Sequence, residues 1–396
     1  MGIFSDYINE RMSFEEIRNK RKQQLKRISD IRGRGILTYA CDMNKGNVPS
    51  LILPSDLLPF KDQLAYIKTE DIDIVLETPG GIAETVEDIV ELVRDKYQRV
   101  GIIIPGTAKS AGTIFAMGAD EILMGDSSSL GPIDAQVVSN GKRFSADAFL
   151  DGLNKIKEEV EKTGKLNPAY IPFLQNISPG EIQHFENAQN FSKTLVKNWL
   201  KTYKFKYWKT HSSTGKKVSE EEKEKRASEI AVKLCKHSDW LTHGRSIRIK
   251  DLKKMRLEIH DYSDIRSEKY NKDLHNSIER YYALLRITFD MSSIFKIFET
   301  PDHQELTYSI SQQKSLQKSI PMKQEKPSSA VFSFTCTKCS AQHKIQLNFV
   351  SNVSIAEGTI KYPANENFTC SNCGNITNLS PIRLKIEEQI GLKAIF

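Results

Sequence analysis

Two kinds of apolar pattern run through the 396 residues. Short apolar runs bounded by turn residues predict buried strands at Ile36-Leu-Thr-Tyr-Ala40, Asp71-Ile-Asp-Ile-Val-Leu-Glu77, Val100-Gly-Ile-Ile-Ile-Pro105 and Glu121-Ile-Leu-Met124. Between the second and third, Ile82, Val86, Ile89, Val90 and Val93 recur at helical spacing, with acids early in the segment. That pattern predicts a helix laying one face on a sheet, its acidic first turns suited to the helix dipole. Ala111 to Gly118 reads as a short helix of small residues, the composition needed where a helix passes close to neighbouring backbone. Strand, Gly-rich turn (Thr78-Pro79-Gly80-Gly81), helix, strand and serine-bearing turn make Asp71–Val137 a βαβ unit with chemistry-capable loops at its strand ends.

The rest of the chain is arranged around that unit. Ser13-Phe-Glu-Glu16 is a capping-box pattern that opens a helix to about Ile31. Amphipathic helices are predicted over 149–162, 179–205, 221–236 and 249–255, and a longer one over 269–298. Pro301 to Ser329 turns to Gln, Ser, Lys and Pro, a linker composition too polar to bury a core. A small β-rich module follows, from Phe332 to about Leu379. The expected division is a helical arm (1–35), an α/β domain (36–262), a helical extension (263–300), a linker (301–330) and a cysteine-bearing module (331–396).

Composition narrows the class. A hydrophobic fraction of 39% and a charged fraction of 27% describe a globular protein with a charge-rich surface. The net charge of +7 permits contact with nucleic acid or an anionic surface without demanding it. No apolar run approaches the roughly 20 residues of a membrane helix, so no span is expected. The N-terminus lacks the pattern of a secretory signal. Of six cysteines, Cys41 and Cys235 stand alone, whereas Cys336, Cys339, Cys370 and Cys373 form two CxxC pairs. This usage predicts a metal site in a reducing, cytoplasmic setting rather than a disulfide framework.

Thiolates at CxxC…CxxC spacing let two knuckles close a tetrahedral zinc site, here a structural Zn2+ in a zinc-ribbon module. Gly374, directly after the second pair, suits the tight knuckle turn. Lys338, His343 and Lys344, with Phe334 and Phe349, offer a surface for nucleic acid or a protein partner; the aromatics better suit the module's own core.

Ser110 sits at the start of a helix just after a buried strand, where α/β proteins place their sites. The N–H of Ala111 is then a first-turn donor able to face a developing oxyanion, and Gly80-Gly81 can supply a second donor without a side chain in the way. Taken alone, these features also fit a plain helix start and a plain turn.

Four motifs add to them. Asp73-Ile-Val-Leu-Glu-Thr-Pro-Gly-Gly81, Pro105-Gly-Thr-Ala-Lys-Ser-Ala-Gly-Thr113, Ala119-Asp-Glu-Ile-Leu-Met124 and Leu130-Gly-Pro-Ile-Asp-Ala-Gln136 resemble, in order and spacing, the serine dehydrogenase proteinase family. That family belongs to the Clp protease/crotonase superfamily and is related to signal peptide peptidase A. The likeness covers roughly Ile36 to His260. It implies a ClpP/crotonase-like αβ spiral with Ser110 at the nucleophile position and Gly80, Gly81 and Ala111 at the oxyanion-hole positions. It also implies a homo-oligomer, since rings are common in the superfamily.

The chain departs from the Clp pattern where a histidine follows the serine by about two dozen residues: Gly131-Pro-Ile-Asp134-Ala-Gln136 has none. The serine still needs a base. Candidates are His243, in Trp240-Leu-Thr-His-Gly-Arg, and Lys193 or another lysine of the 179–205 helix as a desolvated amine, with Asp134 able to orient either. The expected function is an ATP-independent serine peptidase acting on a peptide or protein, its zinc ribbon recruiting substrate or regulator. The alternative is a non-catalytic oligomeric scaffold whose zinc ribbon binds nucleic acid or protein. A crotonase-type acyl-group enzyme is a third reading, against which the serine speaks.

Overall fold

A computed structural model describes residues 2–133, 135–139, 142–211, 214–309 and 327–396. The four apolar runs are neighbouring strands of one sheet: β1 (Gly35–Cys41), β2 (Asp71–Glu77), β3 (Arg99–Ile104) and, beyond the short β4 (Thr107–Ala108), β5 (Glu121–Met124). They run parallel, with Gly35 opposite Ile72, Ile72 opposite Val100, and Gly101 opposite Glu121. Strands covered on both faces should be apolar almost throughout, and every residue of β1 is buried. The Ala83–Arg94 helix places Val86, Ile89, Val90 and Val93 in the core, as its periodicity predicts; Leu195, Val196 and Trp199 of the Pro179–Trp199 helix join them.

The C-terminal end of the predicted 269–298 helix differs. The helix spans Lys272–Met291, and Ile294–Glu299 is a strand antiparallel to β1, with Thr38 opposite Glu299. Ser292 Oγ accepts the Ile294 N–H as the chain leaves the helix, and Ile-Phe-Lys-Ile-Phe is rich in residues that suit a pleated surface. The strand buries Lys296, whose Nζ lies 2.7 and 2.8 Å from the two carboxylate oxygens of Asp56. Asp56 also accepts from Tyr39 Oη at 2.6 Å and from the Leu53 N–H at 2.9 Å. This buried network fixes the 50–56 segment, whose Ile52 backbone meets Gly81. Gln304–Tyr308, polar enough to read as linker, forms the sheet's outer strand, while His260–Asp261 closes the opposite edge beside β5. Linker residues 310–326 lie outside the described residues.

The chain divides into two compact units. Leu25–Ile278 with Lys296–Leu306 carries the parallel strands and their helices. The other gathers Met1–Gln24, Glu279–Phe295 and Thr307–Phe396. In it, Ser329–Thr335, Gln342–Asn348 and Ile360–Lys361 form one small sheet, and Asn367–Thr369 pairs with Ile376–Asn378. The Ser380–Ile390 helix follows, its buried Arg383 ion-paired to Glu366 at 2.8 Å and to Glu387 at 2.7 Å. The same unit packs Tyr7, Met12 and Ile17 against Ala283, Leu284 and Ile287. The whole is mixed α/β with a small C-terminal four-cysteine module. No helix among the described residues is long and apolar enough to cross a membrane.

Candidate active site

Ser110 lies where the chain passes from β4 into the Ala111–Met117 helix, beyond the C-terminal ends of the parallel strands. Its backbone has φ 49° and ψ −116°, a conformation that an L-residue with a Cβ rarely adopts. Such a turn thrusts the side chain off the strand end instead of folding it into the helix, the geometry of a nucleophile elbow. Backbone pairing holds the turn on both sides. The Thr78 N–H donates to Thr107 O at 2.9 Å and the Lys109 N–H to Thr78 O at 3.0 Å, so the loop after β2 and the loop after β3 are stitched together. Thr107–Ala108 also pairs with β6 (Ser129–Leu130). Thr113 Oγ1 lies 3.0 Å from Ala108 O and accepts the Gly131 N–H at 3.0 Å, tying the helix to the next loop.

Gly80 faces the serine directly. A Cβ at Gly80 would stand 2.8 Å from Ser110 Cβ and 2.9 Å from Lys109 O, and its φ of +113° excludes most side chains. A Cβ at Gly81 would fall 2.3 Å from Ile52 O. Their donors differ in availability. The Gly80 N–H already donates to Thr78 Oγ1 at 3.1 Å. Neither the Gly81 N–H nor the Ala111 N–H has a hydrogen bond to a described residue.

Lys109, beside the serine, is the residue sequence reasoning passed over. Its Nζ donates to Leu130 O at 2.9 Å, Ser246 Oγ at 3.0 Å and Arg245 O at 3.3 Å. An ammonium has three donors, and all three are committed. Burial, with a smaller push from the Arg248 guanidinium, brings this group down to about 8. Lys109 is thus an anchor between the serine turn and the 245–247 segment, where Ile247 also bridges to Leu130. Only its adjacency to Ser110 was legible beforehand; the partner segment lies more than 130 residues downstream.

The candidate bases are placed differently. His243 is half-buried in the segment that Lys109 and Leu130 draw toward the serine turn. Lys193 is half-buried on the Pro179–Trp199 helix, whose Trp199 meets Gly118 at the end of the serine helix. Neither makes a hydrogen bond to Ser110 among the described residues, and Ser110 Oγ itself has none there. Asp134 lies outside the described residues.

In the other unit, the Cys336, Cys339, Cys370 and Cys373 sulfurs all lie within 4.8 Å of one another. Cys336 Sγ is 3.6 Å from Cys373 Sγ, and Cys339 Sγ is 3.7 Å from Cys370 Sγ. A tetrahedron with metal–sulfur bonds of about 2.3 Å has edges of roughly 3.8 Å, so the four thiols are positioned to bind one metal ion. His343 Nε2, 3.2 Å from Cys370 Sγ, supplies a buried polar neighbour to that ligand.

Residues 64–166, which hold the strained serine turn and both glycines, match the sequence pattern of the ClpP-like SDH-type serine proteinases. An uncharacterized protein of Methanocaldococcus jannaschii is 27% identical over 188 residues, 48% of this chain and 51% of that protein. A second uncharacterized protein of the same organism is 34% identical over 70 residues, 18% of this chain and 24% of the relative. The chain thus spans about half the length of the first relative and a quarter of the second. Among solved structures, a variant of the 1510-N membrane-bound stomatin-specific protease aligns at a TM-score of 0.32 and 17% identity, covering 54% of this chain and 76% of that one. Another variant of that protease, in complex with a substrate peptide, aligns at 0.29 and 19%, covering 53% and 68%. The ClpP-like segment supplies the serine turn, while the Lys109 anchor points reach beyond it to Arg245 and Ser246.

Proposed function

We propose that the chain is an ATP-independent serine peptidase with Ser110 as nucleophile. The observation that carries this reading is the backbone of Ser110, held at φ 49° and ψ −116° against Gly80 at a strand end. A strained, non-glycine conformation persists only where the surroundings impose it, and such strain clusters at reacting residues. In the proposed reaction Ser110 Oγ attacks the peptide carbonyl carbon while its proton passes to a base. The carbonyl oxygen gains negative charge in a hole formed by the Gly81 and Ala111 N–H groups. Gly80, whose own N–H serves Thr78, shapes that hole by leaving room. The C–N bond then breaks, the base protonates the leaving amine, and water hydrolyses the Ser110 ester.

His243 and Lys193 are the proposed bases, either of which would take the Ser110 proton. Catalytic hydrogen bonds are often long before substrate is present. Lys109 is a positioning residue here, because its three donors hold the turn. The proposed borders are 36–262 for the peptidase domain and 331–396 for a zinc ribbon that recruits substrate or a partner. The chain would work as a homo-oligomer in the cytoplasm.

One observation favours the scaffold reading instead: Ser110 Oγ has no hydrogen-bonded base among the described residues. A fluorophosphonate probe separates the two. Labelling of the full chain that disappears in Ser110→Ala supports the peptidase, and absence of labelling in well-folded protein sinks it. Loss of labelling in His243→Ala or in Lys193→Ala, but not both, assigns the base.

A further inference from the structure

A cavity of about 1180 Å³ in the sheet-bearing unit lies away from the serine. It opens at the opposite end of the parallel strands, where Asp120 and Glu121 start β5. Six-residue β3 separates the two ends by roughly 20 Å at about 3.3 Å per residue. Seven lysine and arginine side chains line the cleft against three carboxylates.

Those carboxylates are already paired within the protein. Asp120 holds Arg94 at 2.7 Å, Glu121 holds Arg32 at 2.6 Å, and Glu258 faces Lys269 at 3.6 Å. Lys209, Lys253 and Arg256 make no salt bridge among the described residues. Arg226 Nε is buried and makes no hydrogen bond, being held only in an ion pair with Glu229 at 3.5 Å. At that distance the pair is not a hydrogen bond, so the guanidinium keeps donor capacity for a ligand acceptor.

The backbone around the cleft is unusual as well. The Pro179–Trp199 helix ends in a π-helical turn, Leu200–Lys204, a feature found often at functional sites. That turn sets Lys204 against Asp120 O at 3.2 Å, where burial lowers its affinity for a proton. It also delivers Tyr207 and Trp208 to the cleft wall, with the Arg226 guanidinium 5.6 Å from the Trp208 ring centroid. Arg256 holds a left-handed backbone at φ 60° without being glycine. Excess cation, a guanidinium donor without a hydrogen bond and an aromatic wall together describe a receptor for an anion carrying several acceptor oxygens.

We propose that this cleft binds a phosphate-bearing small molecule, with Lys209, Arg226 and Arg256 taking the phosphoryl oxygens and Trp208 forming a wall beside them. Calorimetric titration of the full chain with ADP and with inorganic tripolyphosphate tests this, and it reads binding without reference to Ser110. Binding of either probe that weakens at least tenfold in Lys209→Gln/Arg256→Gln, and weakens with added salt, is the expected result. ADP tighter than tripolyphosphate by tenfold or more identifies a ring-bearing ligand; equal binding identifies an inorganic one, and both support the site. Three results overturn it: neither probe binds protein with a normal melting transition, the double variant binds as wild type does, or only a single-stranded oligonucleotide binds. Should Ser110 fail to label while ADP binds, the cleft stands and the peptidase reading falls.

Discussion

Ser110 is the place where function and stability should oppose each other. Two substitutions, Ser110→Ala and Ser110→Gly, both remove the hydroxyl, and neither breaks a hydrogen bond of that hydroxyl among the described residues. They differ in backbone. Alanine must still occupy φ 49°, ψ −116°, whereas glycine enters that region freely. A residue held in such a sparse region stores about 1–3 kcal/mol. Glycine releases that strain but adds about 0.4–1 kcal/mol of unfolded-state entropy. The difference leaves Ser110→Gly more stable than Ser110→Ala by roughly 0.5–2 kcal/mol. For a unit of this size that is about 1–8 °C in melting temperature, at roughly 2–4 °C per kcal/mol. Urea unfolding of the two variants, with their midpoints compared at matched slopes, measures it. Both variants should be silent to fluorophosphonate. If Ser110→Gly is no more stable than Ser110→Ala, the turn stores no strain and the central support for the peptidase reading is lost.

Other outcomes follow from neighbouring residues. Gly80→Ala would press a Cβ to 2.8 Å from Ser110 Cβ, and a displacement near 1 Å at the reacting atom lowers turnover about 100-fold; labelling at the wild-type rate in folded protein would refute the placement. Lys109 is lowered to about 8, so between that pH and about 10.5 the unfolded chain holds a proton the folded chain has released. The stability of wild type relative to Lys109→Met should therefore rise with pH across that window, and a flat difference would show that burial does not disfavour the charge. Lys296→Met strands the buried Asp56 carboxylate and should destabilise by about 3–5 kcal/mol, with part of that recovered in Lys296→Met/Asp56→Leu. A loss under ~0.5 kcal/mol would mean that the pair is not buried in solution. Metal analysis should find one zinc per chain, lost in Cys370→Ser; folded, metal-free wild type would contradict the ligand geometry.

Much of this was determined by sequence alone, wherever local order suffices. The parallel strands follow from apolar runs because burial on both faces leaves no reason for alternation. The Ala83–Arg94 helix follows from its period, and the cysteine cluster from two CxxC knuckles whose geometry is mostly local. The serine was legible because a strand end followed by small residues is a short-range pattern.

Tertiary structure decided what depends on distant partners. Ile294–Glu299 carries a pattern that helix and strand both accept, and it becomes a strand because β1 has an edge to pair and Asp56 offers Lys296 a counterion. Gly80 and Ser110 meet only because the loops after β2 and β3 are bonded through Thr78, and this contact makes Gly80 irreplaceable by a residue with a side chain. Lys109 stood beside the serine in plain sight, yet its role depends on where three donors point, and their partners come from segments up to 137 residues away. Spacing along the chain fixes which groups are near a turn. The direction of a side chain, and what desolvates it, is set by packing between segments that no local pattern relates.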